Sequence, residues 1–424
     1  MAGRKAEPTL TVPSGKPASS ERCRASGGGR HLRVMHVITR LIIGGAQENT
    51  LLNVEDLMRI YGDEVLLVTG PAEGPEGDLF DRVKRSGVPV HVVPELIRAV
   101  HPVRDVIAYR KLLHLMQSWQ PDVVHTHSSK AGILGRAAAT RAGVPVVVHT
   151  VHGSPFHPYE RPWKNWLYRT AERWAAHRCH GLIAVSQAMK QLYVESGIVE
   201  ASRVQVIYSG MEADRFLVPC EQPARTRARL GIAQEAVVIG KVARLFELKG
   251  HEYVIQAAEQ VIRANPRVCF LFVGDGVLRD ALAREIQRRG LGDHFVFTGL
   301  VRPQEVPDLI HAMDIVVHCS LREGLARVLA QAKLAAKPVV AFRLDGAWEV
   351  IEDGESGFLV EPENVTELAE RLAQLASDPS LRRRMGAAGR DRLVERFDHR
   401  TMTAQIRRLY VGLLEQNGGD GHLA

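Results

Sequence analysis

The chain has 424 residues, 45% hydrophobic and 24% charged, which suits two or three globular domains with sizeable cores. Five scattered cysteines (Cys23, Cys179, Cys220, Cys269, Cys319), never spaced C-x-x-C, argue against a disulfide framework and a structural zinc site and for a reducing cytosol. Of the net charge of +7, residues 1–30 supply +4, from Arg4, Lys5, Lys16, Arg22, Arg24 and Arg30 less Glu7 and Glu21, so the rest carries no basic stripe for nucleic acid.

Residues 1–30 form a Gly-, Pro- and Ser-rich tail too poor in apolar surface to fold. They lack the apolar core of a signal peptide, which argues against export, and no apolar run reaches the roughly 18–20 residues of a membrane span. Folded pattern begins near Leu32. Val34–Ile38 reads as a buried strand, and Gly44-Gly45 precedes a helix over Ala46–Ile60. Strand-like runs follow at Glu64–Thr69, Val88–Val93, Asp122–His125, Val144–Thr150, Leu182–Val185 and Val204–Tyr208, separated by helices such as Val103–Trp119 and Gly132–Ala142. The rhythm implies a parallel sheet covered by helices on both faces. It breaks over 216–235, at Pro219 and Pro223. A second alternation then runs through strands Ala236–Arg244, Val268–Val273, His294–Thr298, Ile315–Cys319, Pro338–Ala341 and Gly357–Val360, with helices His251–Ala264, Val277–Arg289 and Leu325–Ala336. The expected organisation is therefore a tail (1–30), an N-terminal Rossmann-like domain (31–215), a linker (216–235), a C-terminal Rossmann-like domain (236–398) and a final helix (399–416) that packs back on the first domain.

Four loops at C-terminal strand ends, where open α/β sheets bind ligands, carry candidate chemistry. Gly44-Gly45 allows close backbone approach and opens a helix whose N–H groups suit an anion; an ordinary tight turn reads equally well. Arg244, Lys249 and the helix start at Gly250 suit a diphosphate, or are surface cations. Gly274-Asp275-Gly276 offers a ligand contact, with Asp275 read in preference as the N-cap of the next helix. Glu323 precedes Gly324 and a helix with Leu325, Val328, Leu329 and Ala332 on one face, where the helix dipole alone favours a carboxylate.

Taken together, the motifs resemble glycosyltransferase family 4, the retaining family of GT-B fold, from about Met35 to about Leu414. The most specific stretch is E-G-L-A-R-V-L-A-Q-A-K-L-A-A-K-P-V-V-A (323–341), which is similar to that family's E-x7-E signature. Also similar are G-K-V-A-R-L-F-E-L-K-G (240–250), V-G-D-G (273–276), F-T-G (297–299), H-T-H-S-S-K-A-G (125–132), H-T-V-H-G (149–153) and V-I-Y-S-G (206–210). The resemblance implies two doubly wound parallel-sheet α/β domains facing across a cleft that holds a nucleotide-sugar donor, a UDP-sugar before others. It implies catalytic roles for Glu323 on the donor sugar, His152 reaching that sugar, and Arg244 and Lys249 on the leaving diphosphate. It places Gly44, Gly45, Gly274, Asp275, Gly276, Thr298, Gly324, Leu325 and Gln331 in donor binding. No metal and no cofactor is expected, and the chain has no D-x-D.

The sequence departs from the family pattern in three places. Gln331 replaces the second glutamate, which implies weaker ribose binding; Ser209-Gly210 stands for Asn-Gly; and Asp345-Gly346 stands for Gly-Gly. A non-catalytic sugar-nucleotide-binding partner is the alternative that Gln331 suggests. The acceptor implied is a lipid-linked or other glycan in polysaccharide or glycolipid assembly, at the inner face of the plasma membrane. Trp163, Trp166, Leu167, Thr170 and Trp174 share one helical face among several bases. Packing of these tryptophans into the N-terminal core is the preferred reading, and contact with an anionic membrane is the alternative.

Overall fold

A computed structural model describes residues 31–72 and 77–419; the tail expected at 1–30 lies outside the described residues. Thirteen named strands are found among them: β1 (Arg33–Arg40), β2 (Glu64–Gly70), β3 (Val90–Val92), β4 (Val123–His127), β5 (Val146–Val151), β6 (Gly181–Ala184), β7 (Val204–Val206), β8 (Val237–Val242), β9 (Val268–Val273), β10 (Phe295–Phe297), β11 (Ile315–His318), β12 (Val339–Phe342) and β13 (Gly357–Val360). They form a seven-stranded sheet of order β3-β2-β1-β4-β5-β6-β7 and a six-stranded sheet of order β10-β9-β8-β11-β12-β13. Neighbouring strands run parallel, for example Val34 beside Val123 and Val237 beside Val268. In each sheet the strand order reverses once, between β1 and β4 and between β8 and β11. At such a switch point the loops on either side diverge and leave a crevice at the carboxyl ends.

Contacts divide the chain into two units. One runs up to Thr150 and includes Thr170–Leu182 and the chain from Ile406; the other comprises Val151–Arg169 and Ile183–Gln405. In the first unit Met35, Val37, Val68 and Val124 pack under Leu112, Leu115, Ala131 and Ala138, all buried. The fully buried Arg136 guanidinium pairs with Glu172 at 2.9 Å, each charge satisfying the other where water cannot. The far half of the helix His399–Gly419 belongs here too: Arg407 donates to the Asp63 carboxylate at 2.9 Å, and Tyr410 is completely buried.

In the second unit, one face of β8, β9 and β11 (Ile239, Phe270, Phe272, Ile315, Val317) packs on Val254, Ala258 and Leu372. The other face (Val238, Leu271, Val316) packs on Leu309, Leu329 and Ala332. A sheet buried on both sides explains why its strands read as continuous apolar runs. No helix among the described residues is long and apolar enough to cross a membrane.

The helix Pro162–Ala176 corrects one expectation. Its tryptophans do not pack into a core: Trp163, Trp166 and Trp174 are 59%, 69% and 44% exposed, and Glu172, Ala175 and Ala176 form the buried side instead. Small residues let the backbone sit close to its support, and the bulky face is left outward.

Candidate functional site

In the second unit, the loops after β8 and β11 bring four candidates together. The chain after β8 turns through Leu248, in the left-handed region at φ +63, and Gly250 at φ +68. A Cβ at Gly250 would lie 1.9 Å from the Cys319 carbonyl oxygen, so only glycine lets this loop close on the end of β11. Leu321 N–H then donates to the Leu248 carbonyl at 2.8 Å. The result is that Lys249 Nζ meets Glu323 Oε1 at 2.6 Å, both side chains remaining partly exposed. Glu323 N–H donates to Asp345 Oδ2 at 2.5 Å, which fixes the backbone that carries the carboxylate.

Electrostatics follow from this packing. Burial would raise the Glu323 carboxyl, but the Lys249 charge and hydrogen bond beside it outweigh this and hold it below the ordinary range. Asp345 is pushed up to about 6 by burial, partly held down by the hydrogen bond from Glu323 N–H and raised further by the Glu323 charge. Next to the pair lies a small depression lined by His318, Ser320, Glu323, Phe342 and Asp345 among others.

Arg244 is exposed, its guanidinium 5.0 Å from the Phe246 ring centre. The loop Gly274-Asp275-Gly276 lies directly on this segment: Cβ atoms at Gly274 and Gly276 would fall 2.3 and 2.4 Å from the Ala243 and Leu245 carbonyl oxygens. Both glycines are therefore required by close packing of the two loops. Asp275 is not the N-cap. The helix begins at Arg279, because Leu278 N–H is drawn to the Leu245 carbonyl, and exposed Asp275 accepts from its neighbour Gly276 N–H at 2.8 Å. Thr298 directly follows β10, its N–H on the Phe272 carbonyl, and Gly274 and Gly299 form an isolated bridge.

The helix expected over Leu325–Ala336 is shorter, Arg327–Leu334, and Glu323 is not at its first turn. A Cβ at Gly324 would lie 2.0 Å from the His152 carbonyl oxygen, so Gly324 packs directly on that segment before the helix begins at Arg327. Ser186 Oγ donates to the Gly324 carbonyl at 2.8 Å, and Leu325 is buried. His152 is thus brought to Gly324 through its backbone. Its imidazole is pushed down to about 4 by burial and by Arg327, so it is neutral at pH 7 and offers a hydrogen bond rather than a charge. Gln331 is half-buried on the helix, and its carbonyl accepts from Ala335 N–H.

In the first unit, Gly45 begins the helix Gly45–Tyr61 and Gly44 caps it in extended backbone at φ 177, which any residue adopts. A Cβ there would meet only the movable Gln47 side chain. Gly44 is therefore not required by conformation.

Sequence reasoning missed three groups beside the pair. Lys241 on β8, His251 and His318 are buried, and Lys241 Nζ and both ring nitrogens of each histidine have no hydrogen-bond partner among the described residues. Burial drives Lys241 below its usual range and His318 to about 3. They stood within apolar strand runs or at a helix start, and nothing in their spacing marked them. Lys333 was also missed; it is buried and donates to the Ser356 and Met385 carbonyls at 3.0 and 2.6 Å, a structural role.

Two doubly wound parallel sheets, with the candidate cations and carboxylates at a switch point of the second, define the GT-B type of glycosyltransferase. Residues 44–210 match the glycosyl transferase 4-like domain, and residues 224–392 match the glycosyl transferases group 1. An Escherichia coli UDP-Gal:alpha-D-GlcNAc-diphosphoundecaprenol alpha-1,3-galactosyltransferase is 28% identical over 90% of this chain and 97% of its own. A Mycolicibacterium smegmatis GDP-mannose-dependent alpha-(1-6)-phosphatidylinositol monomannoside mannosyltransferase is 30% identical over 65% of this chain and 73% of its own. The solved structure of Anabaena HepE with UDP-glucose shares 26% identity, with a TM-score of 0.76 over 90% of this chain and 100% of that one. The chain belongs to this glycosyltransferase family, and it is an enzyme of that class.

Proposed function

We propose that the enzyme transfers a sugar from a nucleoside diphosphate sugar, a UDP-sugar before others, to an acceptor hydroxyl with retention at the anomeric carbon and without a catalytic metal. The observation that carries this reading is the Lys249–Glu323 pair at the β8/β11 switch point. The HepE neighbour, whose structures hold UDP and UDP-glucose, supports the choice of nucleotide.

Arg244 and Lys249 would neutralise the charge that grows on the leaving diphosphate, an effect that fixed cations achieve without reorganising. Glu323, kept ionised by Lys249, would accept hydrogen bonds from hydroxyls of the donor sugar. Neutral His152 would donate to the same sugar, and Gln331 would pair with the ribose. Gly274, Gly276, Thr298 and Leu325 would border the donor. The bond from the anomeric carbon to the phosphate oxygen breaks, and a bond to the acceptor oxygen forms on the same face. The acceptor proton passes to the leaving phosphate, so no protein nucleophile is required. The E. coli relative, by its name, acts on a lipid-linked diphosphate sugar. That supports an acceptor in polysaccharide or glycolipid assembly, reached from the inner face of the plasma membrane.

The test is calorimetric titration of UDP, followed by assay of donor hydrolysis and transfer across a panel of nucleotide sugars. Saturable UDP binding with turnover of a UDP-sugar is expected. Binding without any turnover would favour the non-catalytic alternative.

A further inference from the structure

We propose that His36, His125 and His127 form a site for one divalent transition-metal ion of the zinc type, which ties β1 and β4 to the C-terminal helix. It lies within the first unit and takes no part in the transfer proposed above. His36 is paired with His125 in the β1/β4 register, and His127 follows two residues on, so all three imidazoles lie on one face of the sheet. They are 0%, 0% and 1% exposed. One ring nitrogen of each lies within 4.8 Å of the others, and His36 Nδ1 is 3.0 Å from His127 Nε2. Nitrogens around a tetrahedral zinc stand about 3.3 Å apart, so the widest gap needs to close by at most about 1.5 Å.

Two further observations point to an ion rather than to a set of ordinary core histidines. Among the described residues His36 Nε2 is buried with no hydrogen-bond partner, an unsatisfied nitrogen whose lone pair is available to an ion. His125 is held at both nitrogens, by Thr150 Oγ1 at 2.7 Å and by the Tyr410 hydroxyl. Thr150 would be the outer partner that orients the ring, and the ion would take the other nitrogen in place of its hydrogen bond to Tyr410, whose oxygen would then be the fourth ligand. Buried neutral imidazoles suit zinc, copper or nickel. The cysteine pattern that argued against structural zinc has no bearing on an all-imidazole site.

The experiment uses the full chain, stripped with a chelator and titrated with Zn²⁺, then with Co²⁺ as a spectroscopic probe. One tight ion per chain is expected, raising Tm by about 5 °C or more at saturating metal, and Co²⁺ should give the intense visible bands of a tetrahedral site. His127→Gln and His36→Gln, checked for folding by circular dichroism, should each weaken Zn²⁺ binding by about a hundredfold or more. With 18 histidines in the chain, weak surface binding is the rival outcome. No tight ion, an ion held equally well by both variants, or a Co²⁺ spectrum like that of the hydrated ion overturns the proposal. The Co²⁺ spectrum of the unmodified chain decides the matter even where a variant fails to fold.

Discussion

Lys249 and Glu323, 74 residues apart in sequence, meet at 2.6 Å at the carboxyl ends of two adjacent parallel strands. Each is part of the other's environment: the ammonium holds the carboxyl below its ordinary range, and the carboxylate holds the lysine side chain toward the loop after β11. An arriving diphosphate would share Lys249 with Glu323, so the pair links the leaving group to the sugar contact.

Glu323→Ala should lower turnover by about two to three orders of magnitude, the scale for losing a preorganised polar group at the reacting centre. Free-UDP affinity should change only a few-fold, because Lys249 is left available to the diphosphate. Transfer kinetics beside UDP calorimetry check this. Equal losses in both would mean that Glu323 is structural or belongs to the nucleotide.

Asp345 gives a pH signature. Its folded pKa, about 6, lies above the ordinary 3.8, so between those values the folded chain holds a proton that the unfolded chain releases. Its contribution therefore makes stability fall as pH rises through that window. Asp345→Asn, which keeps an acceptor for Glu323 N–H, should flatten this part of the curve. Thermal melts of both proteins across the window test it, and parallel curves would contradict it.

The outward face of Pro162–Ala176 suits an anionic bilayer. Trp163, Trp166 and Trp174 are exposed, with Lys164 5.9 Å from the Trp163 ring centre and Arg178 3.7 Å from that of Trp174. Flotation with anionic liposomes should carry the protein, and Trp163→Ala with Trp166→Ala should abolish it. Failure of the unmodified protein to bind anionic or neutral vesicles rules the contact out.

Gln331→Glu should tighten donor binding several-fold with turnover nearly unchanged. A carboxylate makes charge-assisted contacts with a ribose diol, worth about 1–1.5 kcal/mol more than the amide, or up to about tenfold in affinity. The gain falls on ground and transition states alike, so KM moves and kcat does not. Calorimetric titration of UDP into both proteins checks this, and weaker binding by the Gln331→Glu variant would mean that the surroundings have adapted to a neutral side chain.

Much of this was legible in the sequence, for physical reasons that also mark where legibility ends. Strands buried on both faces give continuous apolar runs, so β8, β9 and β11 were visible, and the loops after them carried the candidates. Local rules failed where distant backbone decides. Leu278 N–H bonds Leu245 rather than letting Asp275 cap its helix, and Gly324 packs on His152 before the helix at Arg327 begins. Periodicity showed one face to the Trp163–Trp174 helix but could not say which way it turned. Lys241, His251 and His318 were invisible because their burial depends on which strands become neighbours.

The most direct test of the account is the pair of variants Arg244→Ala and Lys249→Ala, measured by UDP calorimetry and by kcat/KM for the donor. Both residues lie on one surface loop after β8, so the fold should survive. Each substitution should lower kcat/KM by about two to three orders of magnitude, with UDP binding weakened in step with the lost charge. If both variants bind UDP and turn over at near-normal rates, the diphosphate does not lie at the β8/β11 switch point, and the site assignment is wrong.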